Sequence, residues 1–278
     1  VYGNLGEVTN HGVDLSIDYT QPIGSDYTIS AKGTFTYAHN EILKMDDPDF
    51  IQYPNISRVG HSVNSFLLYE AQRLFIDQNE VRNSPDQLLG GEVMAGDIKY
   101  INQPDAYGNY DNVINSNDRI YAGYPEVPEI VYGFGISAQL KHVDLSIFFQ
   151  GVGRTSLVMS DFHPFGINEN VKRNVMKFVA DDYWSEQNQN IYAKYPRLSV
   201  VEYGNNIAPS TYWLRDASFL KLKNVEIGYS FKKFRVYLSG TNLLTFSNFK
   251  FWDPEQGGGS GLKYPTQRVF NIGFQMTL

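Results

Sequence analysis

Arg268-Val269-Phe270-Asn271-Ile272-Gly273-Phe274-Gln275-Met276-Thr277-Leu278 is the stretch from which the rest of the chain is read. Successive side chains alternate across an extended strand, so Phe270, Ile272, Phe274, Met276 and Leu278 share one face. Val269, Asn271, Gly273, Gln275 and Thr277 share the other. One face is continuously apolar and the other mostly small or polar. A chain that stops on such a strand, with no polar tail, ties its terminus into a sheet. The apolar face must then meet either a protein core or lipid.

The same period of two recurs upstream. Around Val8–Tyr19, Val13, Leu15, Ile17 and Tyr19 oppose Asp14, Ser16 and Asp18, and a turn with Pro22 and Gly24 follows. Tyr27–His39 sets Tyr27, Ile29, Ala31, Phe35 and Tyr37 against Thr28, Ser30, Lys32, Thr34 and Thr36. Ile130–Leu140 and Val143–Val152 alternate likewise, joined by Lys141-His142, with Asp144, Ser146 and Gln150 on the polar side. Phe219–Phe231 carries Val225, Ile227, Tyr229 and Phe231 in phase. Leu220 and Leu222 fall out of phase, which predicts a bulge or a protein-buried end there. Lys232-Lys233 turns the chain into Arg235–Phe246. These are half-exposed antiparallel strands.

Between them the pattern dissolves twice at length. Glu41–Glu129 and Gly153–Ser218 are rich in Asn, Asp, Gly and Pro, the second with a short helical pattern near Val171–Trp184. The connections run about seven, ninety, two, sixty-five, three and twenty residues. Strict short–long alternation is the habit of outer-membrane barrels, and the strands are near the roughly 9–11 residues needed to cross tilted. Tyr19, Tyr27, Tyr229 and Phe231 lie near the short turns, where an interfacial girdle would sit. Seven up-and-down strands leave the first and last pointing the same way, so they cannot close an antiparallel barrel alone. The expectation is a segment of a larger barrel, and a chain starting at Val1 without an export signal reads as a mature product or a fragment.

Composition agrees. Aromatics are 15% of the chain, with 20 Tyr and 18 Phe, and such rings suit strands and wet–apolar boundaries. No apolar run approaches the roughly 20 residues of a membrane helix, which does not exclude strands that span. Cysteine is absent, excluding disulfides and thiolate metal sites, and the net charge of −7 argues against nucleic acid as a partner.

Ordered motifs now resemble one family, the SusC/RagA-like TonB-dependent transporters. They are Gly6-Glu7-Val8-Thr9-Asn10-His11-Gly12-Val13-Asp14, then Gly96-Asp97-Ile98-Lys99-Tyr100, and Asn117-Asp118-Arg119-Ile120 with Gly123, Pro125, Pro128 and Tyr132-Gly133-Phe134. Phe148-Phe149-Gln150-Gly151, Ser218 to Val225, Gly228-Tyr229, Gly240 to Phe246, Asp253-Pro254-Glu255 and Tyr264-Pro265 follow. Asp14 replaces the family's Glu, and Leu278 replaces a terminal aromatic. The resemblance covers nearly the whole chain and corresponds to the family's C-terminal third.

It implies an all-β fold: residues 1–278 as an antiparallel transmembrane β-barrel segment, about seven strands of 22, with long extracellular loops. It also implies a Gram-negative outer-membrane importer of oligosaccharides or peptides, not an enzyme. The implied partners are the remaining N-terminal barrel and plug, absent from this chain, a SusD-like lipoprotein lid, TonB and outer-membrane lipid. Asp14, Asp18, Lys32, Thr34, Thr36, Asp144, Ser146, Gln150, Asn271 and Gln275 are expected to face the lumen. The alternative is a secreted all-β glycan-binding module or hydrolase with the same strands packed as a sandwich.

Candidate site residues outside the strands are few. Trp184, Trp213 and Trp252 lie in the long connections, where an indole can stack on a sugar ring or simply pack the loop. Asp105, Asp111 and Asp118 supply oxygens for calcium, the one candidate cofactor, but their spacing breaks the Ca²⁺-loop pattern and ordinary turns explain them. Asp46-Asp47-Pro48-Asp49 and Asp181-Asp182 assemble no catalytic constellation. The four glycines within Gln256–Gly261 read as a mobile loop tip rather than a phosphate cradle, since no helix start follows.

Overall fold

The computed structural model describes residues 5–47, 50–159, 175–199 and 204–277. Seven long antiparallel strands form one sheet in simple sequence order: β1 (Glu7–Ile23), β2 (Tyr27–Lys44), β3 (Ile130–Leu140), β4 (Val143–Gly153), β5 (Phe219–Phe231), β6 (Phe234–Ser247) and β7 (Val269–Met276). Each pairs with the next, and the outer edges of β1 and β7 have no partner among the described residues. No helix among these residues is long and apolar enough to cross a membrane.

Two expected boundaries move. Pro22 is not in the turn but inside β1, opposite Thr28, and the turn is Gly24–Asp26. Proline is tolerated there because Pro22 stands one residue from the end of β1, beside the turn, rather than in the middle of the ladder. At its other end β2 runs on to Lys44, because Glu41 and Ile42 still pair with Thr9 and Val8. The two-residue turns are as read: Lys141 and Lys232 take φ of 53° and 54°, the left-handed conformation a tight hairpin requires.

Register aligns like with like. One row across the sheet reads Gln21, Ile29, Ala138, Leu145, Ile227, Leu238, Ile272. The row beside it, facing the other way, reads Thr20, Ser30, Ser137, Ser146, Glu226, Ser239, Asn271. The bulge expected in β5 is present: the register shifts between Leu222 and Asn224, returning Leu220 and Leu222 to the apolar side opposite Phe246 and Leu244.

The apolar rows are bare. Ile227, Leu238 and Ile272, consecutive in one row, are 48%, 52% and 81% exposed. Tyr27, Leu140, Val143, Tyr229, Val236 and Phe274 form the row nearest the short turns, and Tyr37 and Ile130 lie in the row nearest the long connections. Ten residues of β2 separate these rows, about 33 Å along the strand at about 3.3 Å each. At a tilt of about 45° that is about 23 Å of height, close to the roughly 25 Å apolar band of a bacterial barrel.

The core lies elsewhere. The described residues of 45–129, 154–218 and 248–268 come together at one end of the sheet as a single packed module. Leu68, Leu74, Ile98, Tyr100, Ile114, Leu157, Met159, Tyr195 and Trp213 are each 2% exposed or less. Short pairings stitch the connections: Phe66–Tyr69 with Arg119–Ala122, Ala71–Leu74 with Ile98–Tyr100, and Ser156–Val158 with Leu214–Asp216. Leu74 N–H also donates to the carbonyl of Ile191, and Tyr69 N–H to that of Pro209. What looks in sequence like unpatterned loop is a second folded body. The helical pattern near Val171–Trp184 reduces to Lys177–Ala180, with residues 171–174 outside the described residues.

Candidate functional site

Two surfaces carry polar chemistry: the polar face of the sheet and the module above it. The ten residues read as lumen-facing all fall on one face. Asp14 pairs with Thr36 and Asp18 with Lys32, Thr34 stands beside Gly133, and Gln150 beside Lys221. Ser146 lies in register with Glu226, Asn271 with Ser239 and Gln275 with Arg235. Thr36 donates to Asp14 at 2.9 Å, and Lys32 approaches Asp18 at 3.7 Å.

Near the short turns, Arg235 bridges Asp144 and Glu226, with Nε–Oδ2 of 3.0 Å and Nη2–Oε1 of 2.6 Å, and lies over the Tyr237 ring. A triad of charges belongs on a wet or protein-covered face, since a charge in the bilayer centre costs several kcal/mol. Phe148 lies flat on this face, and a Cβ on Gly133 would stand 2.8 Å from its ring. The glycine is therefore what admits the ring.

Within the module, the Gly96–Tyr100 motif is the centre of a buried polar lattice. Asp97 is fully buried and accepts from Arg197 Nη2 (3.2 Å), Asn206 (2.7 Å) and the Met94 amide (2.8 Å), with Arg197 Nε 2.7 Å away as its ion pair. Burial pushes its pKa upward against the pull of Arg197 and these donors. Gln87 spans Ile98 O and the Tyr100 amide, Asn205 donates to the same Ile98 carbonyl, and Tyr100 hydroxyl donates to Asn205 O. Buried backbone groups need partners, and a strand too short for a sheet finds them in amides. Gly96 takes φ of +80° with the Trp184 ring packed where a side chain would begin.

The third connection docks on the sheet through charge. Lys221, on the polar side of β5 and 1% exposed, donates to Asp253 (2.7 Å) and Glu255 (2.5 Å), and Lys223 reaches Glu255 at 2.9 Å. Burial, the largest single influence, opposes ionisation of both carboxyls, but Lys221 together with the Glu255 amide and Thr266 at Asp253, and with Lys223 at Glu255, holds both below the usual carboxylate range. The Asp-Pro-Glu and Lys-x-Lys motifs are thus two halves of one clamp. The glycines that follow it do not form a free tip, because Gly259 N–H donates to Val158 O.

The tryptophans are placed differently from a ring-stacking platform. Trp213 is fully buried with its indole N–H on Asn206 O, and Trp184 is 5% exposed; neither offers a face to solvent. Trp252 is half-buried, donating to Gly257 O and packed on Phe249. Their apolar area was more effective in closing the module than in facing outward.

The three candidate calcium aspartates each serve a local turn. Asp105 accepts from Tyr107 and Asn109 amides, Asp111 from Val113, and Asp118 from Gln103 and Asn115. No group of three His, Asp or Glu is gathered for a metal among the described residues.

One cleft was not legible beforehand. Phe178, Tyr195, Phe249 and Phe251 wall a cavity of about 530 Å³ above the long-connection ends of β5 and β6, with Arg215, Lys194, Lys250 and Asp216 on its lining. The run Phe249-Lys250-Phe251-Trp252 was the available signal, an aromatic and basic cluster of which only Trp252 stood out. Arg215 had none, being one cation in an ordinary short strand.

No family model matches the chain. Among curated relatives it is 28% identical to TonB-dependent receptor P3 of Formosa agariphila, over 98% of this chain and 29% of the relative. It is 25% identical to TonB-dependent receptor SusC of Bacteroides thetaiotaomicron, over 98% of this chain and 27% of the relative. The chain therefore spans less than a third of the curated relatives it matches. The solved RagAB peptide transporter superposes with a TM-score of 0.71 at 24% identity, over 99% of this chain and 30% of that one. Its "open-open" state gives 0.69 at 22%. At such identities the structures establish the fold.

Proposed function

We propose, from the premise that this chain is a barrel segment of the SusC/RagA-like TonB-dependent transporters, that it forms wall and vestibule of an outer-membrane importer. Its apolar face meets lipid and its polar face the lumen, including the ten residues named above. The folded module stands outside the cell, where the whole protein would admit oligosaccharides or peptides under a SusD-like lipoprotein lid. Plug and TonB contact would belong to the N-terminal remainder of the protein, so this segment supplies shape and surface rather than energy coupling.

The observation that carries the reading is the sheet's inversion. Apolar rows run across it partly or largely exposed, opposite a face with serines, threonines and a charge triad. A sandwich would cover those rows with a second sheet, and the described residues fold their second body at the sheet's end instead.

Neighbours in β7 give the test. Ile272→Lys puts a charge on the apolar face, at a cost of roughly 2–4 kcal/mol near mid-membrane, whereas Asn271→Lys puts it on the polar face. The expected result is loss of the heat-modifiable barrel from the outer-membrane fraction for the first variant only. Equal assembly of the two, or recovery of the wild-type protein without detergent, refutes the assignment.

A further inference from the structure

The aromatic cleft above β5 and β6 has the makings of a second recognition site. Its wall is continuous: the Phe178 ring lies 5.2 Å from Phe251 and 6.0 Å from Tyr195, and Phe249 lies 5.4 Å from Phe251. Into it the strand Leu214–Asp216 brings Arg215. One guanidinium nitrogen, Nη1, is tied to the carbonyls of Tyr212 (2.7 Å) and Leu214 (2.8 Å), which orients the group without neutralising it. No carboxylate lies within 4 Å of Arg215 or Lys250 among the described residues.

The other charges at the cleft do not change this. Lys194 is held by Asp182 at 3.1 Å, and Asp216, on the lining, accepts the Ser218 amide at 2.9 Å. The Tyr195 hydroxyl is buried with no hydrogen-bond partner among the described residues. Burial draws the Arg215 pKa below its ordinary value, the mark of a cation taken partly out of water without a counter-ion.

A half-buried arginine held by backbone carbonyls, with its other donors open, matches the fork of a carboxylate. Flanking rings match an apolar or ring-shaped neighbour of that carboxylate. We propose that this cleft binds a carboxylate set beside an apolar side chain or a sugar ring, with Arg215 as its bidentate partner and Lys250 as a second, exposed cation. The inference rests on the importer reading only in taking the carboxylate to be part of the cargo. Two sources share this chemistry, the C-terminus of a short peptide and the acid group of a uronic sugar.

The test uses the full-length outer-membrane protein containing this segment, purified in detergent, with binding followed by calorimetry. The probes are Ala-Ala-Phe and its C-terminal amide, and digalacturonate and its methyl ester. At least one acid is expected to bind, at least about tenfold tighter than its neutral derivative, and which acid binds names the source. Arg215→Lys, which keeps charge but loses the fork, should weaken that binding by about tenfold or more, and Lys250→Gln by a few-fold. Lys250 is exposed, so its variant remains informative if Arg215→Lys fails to assemble. Acid and neutral forms binding alike, neither acid binding, or unchanged affinity in the variants overturns the proposal. Failure of the importer reading registers separately, as absence of the protein from the outer membrane.

Discussion

The sheet and the module treat apolar side chains in opposite ways. In the sheet, Ile227, Leu238 and Ile272 stand in a row on one face and bury little, while the opposite face carries Ser146, Glu226 and Arg235. In the module, Leu74, Ile98, Ile114 and Trp213 are sealed from solvent, around the buried Asp97 and its partly buried partner Arg197. Both regions are drawn from one composition, so composition could not separate them. The difference is environmental: the module is built by the hydrophobic effect in water, and the sheet is built for a surrounding that is itself apolar.

Perturbing the module core should have the largest effect. Trp213→Ala empties a fully buried site and is expected to destabilise the module by about 3–5 kcal/mol. Limited proteolysis of assembled barrels should then cut within residues 45–129 or 154–218 while the heat-modifiable band persists. If band and module are lost together, the two bodies fold as one and the contrast fails.

The clamp is next. Lys221→Ala strips the buried ammonium from Asp253 and Glu255. Breaking a buried pair costs about 3–5 kcal/mol, and the partial exposure of both carboxylates, 18% and 35%, reduces the expectation to about 2 kcal/mol. Hydrogen exchange at residues 248–261 should rise selectively.

Acid should also separate the two bodies. Burial disfavours ionised Glu80, but hydrogen bonds from Arg73, the Ile76 amide and Lys99 together lower its pKa to about 2. A carboxyl depressed on folding stabilises above its unfolded pKa, so this contribution is complete above about pH 4.5 and is lost as the pH falls toward 2. Acid titration monitored by tryptophan fluorescence should show the module loosening over that window, and Glu80→Gln should remove this component. At the small end, Asp18→Asn breaks only an exposed 3.7 Å pair on the sheet and should leave thermal stability within about 0.5 kcal/mol.

Legibility followed the range of the interactions involved. Alternation around Val13–Tyr19 and Phe270–Met276 needs only the local pleat, so the strands and their faces could be read directly, even to the β5 bulge implied by Leu220 and Leu222. Pro22 misled because a residue suited to a turn is also acceptable at the end of a strand that enters one. The module gave no period because its strands are two to four residues long and paired across the chain: Tyr69 meets Pro209, and Asp97 meets Arg197 and Asn206. The same distance hid the cleft, where Phe178 and Phe251 meet although they are 73 positions apart in the chain.

By itself, then, the sequence determined a wall: seven strands, one apolar face, one polar face and tight turns at one end, all consequences of a period of two that neighbouring residues enforce. Only the tertiary structure decided that the long connections are a second folded body, that Trp184 and Trp213 serve its core, and that Arg215 opens into an aromatic cleft. The reason is physical. A β-strand exposes its pattern residue by residue, whereas a core assembled from distant segments is set by which apolar surfaces find one another, and no local window contains both partners.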